Sequence, residues 1–220
     1  MTDLAPSFDA IEAGVAPRGL QRVLPWAVGT ALALTAAEVA WGTLAVAGLT
    51  TDPSDGAMWD TLSDIYETLG FAYLVVMLIA YGVNATWWMR AVANACDAEP
   101  APERITPYGS VIWHAIPIAN LWMPFRAMRE TWNTSVRGPG FLGHAAPRFM
   151  HAWWWAWVLT SLLTVVASQL SMSFDTLKAG LTLDVCAAAA MIVSTVFYVR
   201  MLRAITAAQR DFPNPARIFE

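Results

Sequence analysis

LGFAYLVVMLIAYGVNATWWMR, residues 69–90, decides the fold. Its first 21 residues carry no charge, and the run closes on Trp87, Trp88 and Arg90. A bilayer core about 30 Å thick takes about 20 apolar residues of helix, so 69–89 reads as a membrane span. Tryptophan followed by arginine is the order expected where lipid tails give way to headgroups. Outward from this stretch, residues 24–49, 149–170 and 179–199 have the same length and apolar character. Pro25 alone interrupts a span, and it falls in the expected first turn of 24–49, where proline is tolerated.

Composition agrees. Of 220 residues, 57% are hydrophobic and 14% charged, against about 25% charged in a soluble domain. No segment alternates as a barrel strand does. The fold class expected is an all-α membrane protein, with four transmembrane helices plus a central re-entrant or interfacial helix pair. Residues 1–20 and 211–220 read as polar tails around one transmembrane domain, 21–210. Asp3, Asp9 and Glu12 stand where a signal peptide would be positive, so the first span is expected to stay as an anchor. Cys96 and Cys186 fall at different depths, which excludes a disulfide between them.

Charge sets the orientation. With the N-terminus in the cytoplasm, twelve of the thirteen Lys and Arg lie inside and only Lys178 lies outside. The reverse orientation inverts the positive-inside bias. The expected location is the bacterial cytoplasmic (inner) membrane, multi-pass, with both termini cytoplasmic. The first outer loop then carries Asp52, Asp55, Asp60 and Asp64, with Glu67 at the outer end of the second span. No basic run suits nucleic acid.

Residues 108–135 break the pattern. Their apolar core, 111–124, is about 14 residues, too short to cross. Pro117 is expected to break a first short helix, and Pro124 to open a second. The second helix places Phe125, Met128 and Trp132 on one face and pairs Arg126 with Glu130 at i,i+4.

Two strings in this region are distinctive. One is WMRAVANA, 88–95, with Trp88, Arg90 and Asn94. The other is IPIANLWMPFRAMRETW, 116–132, with Pro117, Asn120, Pro124, Arg126 and Glu130. With the Trp-rich start of the third span, they resemble a bacterial membrane family catalogued as domain of unknown function 4328. The resemblance covers roughly residues 30–210. It implies the membrane architecture, marks the central segment, and brings no activity with it.

Glu38 is the most informative single residue. It lies near the middle of the first span, where a charge costs at least about 2.5–3.5 kcal/mol. Asp184 lies near the outer end of the fourth span, within two helical turns of the same depth. The pair reads either as a proton or cation site or as carboxyls hydrogen-bonded across helices. His114, Asn120, Arg126 and Glu130 form a second group, with Arg126 and Arg129 suited to an anionic headgroup. Its structural alternative is a tie from Asn120 and Arg126 to the Arg90 and Asn94 helix end.

His114, His144 and His151 follow no metal or haem spacing, so no metal and no cofactor are expected. No GxSxG, HExxH, Walker or GxGxxG string appears, and no catalytic residue is assigned. The leading functional expectation is a non-enzymatic scaffold or lipid- or partner-binding membrane protein. Its partners would be the bilayer, an anionic lipid or another membrane protein. The alternatives are a small proton- or cation-coupled transporter using Glu38 and Asp184, and an enzyme acting on lipid at the cytoplasmic interface.

Overall fold

The computed structural model describes residues 19–52, 54–173 and 175–211. The expected tails, with Arg18 and Arg217, fall outside these residues apart from Gly19, Leu20 and Asp211. The chain is all-α. In order come α1 (Leu20–Thr50), α2 (Gly56–Ala98), α3 (Gly109–Ile112), α4 (Met123–Trp132), α5 (Arg148–Leu170) and α6 (Leu177–Ala208). Among the described residues, α1, α2, α5 and α6 are the four helices long and apolar enough to cross a membrane. Phe71, Leu74, Leu78 and Ile79 on α2, and Leu162, Val165 and Val166 on α5, stand exposed. Surface that apolar needs lipid around it, because water would drive it to aggregate.

The helices outrun the apolar stretches. α2 begins at Gly56, not near residue 69, and takes Asp60, Asp64 and Glu67 into its exposed face. Leu62 and Tyr66, one turn apart, hold the inner face of that added stretch. The loop before it shrinks to 51–55. α1 begins at Leu20, so Pro25 lies inside the helix instead of in its first turn. Hydropathy marks where lipid ends, and these helices continue past that level.

Two compact units divide the chain. One comprises residues 28–82 and 147–199, a bundle of four helix segments. Small residues bring its helices together. A Cβ on Gly42 of α1 would stand 2.8 Å from the Ala188 Cβ of α6. Along α1 the buried positions 31, 38, 42 and 45 form one seam, as membrane helices require for close packing. Thr35 and Thr195 share a 2.6 Å hydrogen bond across the same contact. The Thr160 hydroxyl of α5 donates to the Ala187 carbonyl of α6 at 3.4 Å. Asp52 of the first loop feels Lys178 at the start of α6, which places both short loops at one end of the bundle.

The other unit comprises, among the described residues, 19–27, 83–146 and 200–211. The segment 108–135 folds here as broken short helices. α3 runs into a 3-10 turn at Trp113–Ala115, and Ile116 is extended ahead of Pro117. Pro124 sits in the first turn of α4, whose last turn widens into a π turn at Asn133–Arg137. Of the face expected to pack, Met128 and Trp132 are buried and Phe125 is half-buried.

Candidate functional site

Two groups of polar residues were expected from the sequence, and each falls within a single unit. In the four-helix unit, Glu38 is 4% exposed and Asp184 is 8% exposed. Asp184 lies within the electrostatic reach of Glu38. The Tyr73 hydroxyl donates to the Glu38 carboxylate and the Trp41 indole N–H to Asp184; the Thr164 hydroxyl, which gives its proton to the Thr160 carbonyl at 3.0 Å, also lies against Glu38. Trp41 stands edge-on to Tyr66 at 4.9 Å and 6.4 Å from Tyr73. The Tyr66 hydroxyl is buried without a hydrogen-bond partner, beside the Asp184 charge. The result is a carboxyl pair walled by Trp41, Tyr66 and Tyr73, with one hydroxyl to spare.

Every donor to the pair is neutral. No Lys or Arg occurs from Val23 to Met89, from Phe149 to Leu177, or from Ala179 to Val199. Glu67, expected at the outer end of the second span, is exposed on α2. Sequence reasoning singled out the two carboxyls but missed Trp41, Tyr66, Tyr73 and Thr164. Their spacing held a signal: Trp41 is one turn past Glu38, and Tyr66 and Tyr73 are two turns apart on α2.

In the other unit Arg126 and Glu130 are joined to each other and to the backbone. Arg126 Nε donates to Glu130 Oε1 at 2.6 Å, and a second Arg126 nitrogen donates to the Glu103 carbonyl at 2.6 Å. Glu130, buried, also accepts the Ile105 N–H at 3.1 Å. Among the described residues, no hydrogen bond joins Asn120 or Arg126 to the Arg90 and Asn94 helix end. Asn94 instead donates to Gln209 at 2.9 Å, and Asn120 Oδ1 is buried without a partner. The Arg90 guanidinium lies against Gly19, where a Cβ would collide with it. His114 packs edge-on to the buried Trp88 at 5.0 Å. Burial pushes the His114 imidazole below its ordinary pKa.

Three further residues finish this network. Glu99 accepts from Thr134 at 2.7 Å and from the Gly140 N–H at 3.0 Å. Arg104 donates to the Glu99 carbonyl, the Glu130 carbonyl and the Thr134 hydroxyl. Gln209 donates to the Ala91 carbonyl and to Ser135. Both cysteines are free. Among the described residues, no group of three or more His, Cys, Asp or Glu converges as a metal site would.

Four helices long and apolar enough to span a membrane, with two buried carboxyls and no Lys or Arg partner for them among the described residues, set the class: a membrane-type helical bundle with polar groups inside. The chain belongs to the family described as Domain of unknown function (DUF4328), whose model matches residues 50–207. Asp184 and both distinctive strings fall inside the matched stretch, and Glu38 precedes it. No curated protein and no solved structure matches the chain.

Proposed function

We propose that this is a non-enzymatic, proton-binding protein of a bacterial cytoplasmic membrane. Glu38 and Asp184 form its proton-exchanging pair, and both termini lie in the cytoplasm. The observation that carries the reading is two carboxyls buried within a membrane bundle and bonded only to neutral donors. Two bare carboxylates in that medium are too costly to hold together. A proton held by the pair removes one of those charges.

A proton suits this site better than a metal cation. The Trp41 N–H occupies Asp184 with a donor, whereas a cation needs oxygen lone pairs converging on one point. Tyr73 adds a hydroxyl bonded to Glu38, and Tyr66 adds one near Asp184 that no other group of the bundle occupies. The placing of twelve of thirteen Lys and Arg on one side supports the orientation. It puts the loops at 51–55 and 171–176 outside.

Reconstitution into liposomes tests this reading. An internal pH dye follows proton entry under an imposed gradient, for the native chain and for Glu38→Gln and Asp184→Asn. The proposal expects native flux and its loss in both variants, with thermal unfolding little changed. Equal flux in all three, or none in the native chain, rejects proton movement. A fall in stability alone assigns the pair to helix packing.

A further inference from the structure

Between Arg104 and Arg126 the chain carries no Asp, Glu, Lys or Arg for 21 residues. Within that run Tyr108, Ile112, Ile116, Ile118, Leu121 and Trp122 are exposed, Ile118 to 71%. The run cannot cross a bilayer, because Pro117 divides it and α3 has only four residues. Its turns are nonetheless satisfied from within: Asn120 N–H donates to the Ile116 carbonyl at 2.8 Å, and Leu121 N–H to Ile118 at 3.1 Å. A self-satisfied backbone presenting apolar side chains outward suits shallow insertion into lipid.

Its neighbour fixes the depth. His114 packs on Trp88 at 5.0 Å, and Trp88 lies at the end of the uncharged run of α2, two residues before Arg90. That is the headgroup level. Just beyond the patch on α4 lies Arg129, half-buried, with Nε lacking any hydrogen-bond partner. Arg129 makes no ion pair among the described residues. An anionic headgroup at the outer nitrogens of the guanidinium would supply the counter-charge that the described residues leave out.

We infer that residues 108–122 lie in one leaflet of the membrane as an interfacial element, with Arg129 holding the phosphate of an anionic phospholipid. The element shares no residue with the carboxyl pair. Its occupant is lipid because the patch starts at the level where α2 leaves the tails, and because a cation without an ion pair, Arg129, follows it on α4.

The test uses the full chain with Cys96→Ser and Cys186→Ser, and Ile118→Cys carrying a fluorophore. The exposure of Ile118 lets a label sit there without disturbing packing. The protein is placed in phosphatidylcholine vesicles with and without phosphatidylglycerol. Nitroxide lipids report contact with tails or headgroups, and aqueous iodide reports contact with water. The expected result is quenching by shallow acyl-chain nitroxide and protection from iodide. Arg129→Ala should weaken the preference for phosphatidylglycerol about fivefold, as one cation near an anionic leaflet implies. Iodide quenching without lipid quenching overturns the inference. So does protection from both quenchers, which would mean a protein partner or second copy covers the patch. A native chain that does not distinguish the two lipids removes the phosphate from it.

Discussion

Asn94 on α2 and Gln209, just past α6, form a buried side-chain hydrogen bond of 2.9 Å. Gln209 spends its own amide on the Ala91 carbonyl and Ser135. One residue thus joins three separate stretches of the chain. Gln209→Leu keeps the volume but leaves these buried groups unpaired. A loss of about 2–3 kcal/mol is expected, read as a lower unfolding midpoint in detergent. An unchanged midpoint would mean that the network does not hold this unit together.

The Arg126–Glu130 pair is asymmetric, since Glu130 is buried and Arg126 is partly open. Removing the buried carboxyl strips the Ile105 N–H and Arg126 of their acceptor at once. Glu130→Ala should therefore cost more than Arg126→Ala, by about 1–2 kcal/mol. Equal losses would show that the solvent-side half of the pair carries the stabilisation.

Gly42 is the close-approach point of α1 and α6. Gly42→Leu inserts a side chain where even a Cβ crowds Ala188, and should cost about 1–3 kcal/mol. Gly29 and Gly82, which have open space at the Cβ position, serve as controls. Their alanine variants should unfold like the native chain.

His114 gives the broken segment a pH response. Burial lowers its pKa, so the folded state favours the neutral ring. As pH falls below the ordinary imidazole value of 6.5, the unfolded chain takes up a proton first. The contribution is complete above that value and declines beneath it. His114→Gln should flatten the pH dependence of the unfolding midpoint in this range. A variant as pH-sensitive as the native chain would exclude His114 as the cause.

The span count was legible because a lipid-facing helix needs an unbroken apolar run, and 69–89 and its three counterparts are such runs. The helix ends were not legible. Asp60, Asp64 and Glu67 look like loop residues in hydropathy yet lie along one exposed face of α2. The breaks at Pro117 and Pro124 were readable from proline geometry alone. Glu38 and Asp184 declared themselves by their cost in lipid. Tyr66, Tyr73 and Trp41 did not, because aromatic residues in a span are ordinary until packing turns them to a carboxyl. The partner of Asn94 was equally hidden, since Gln209 lies 115 residues away.

Carboxyl infrared spectroscopy in membranes speaks most directly to the proton-exchanging pair. Difference spectra across a pH titration should show protonated-carboxyl bands that come and go reversibly. Glu38→Gln should remove one band and shift the remaining Asp184 band. Once the bands of the exposed carboxyls common to all variants are subtracted, the absence of any pH-dependent band that Glu38→Gln or Asp184→Asn removes would contradict a proton site in the bundle.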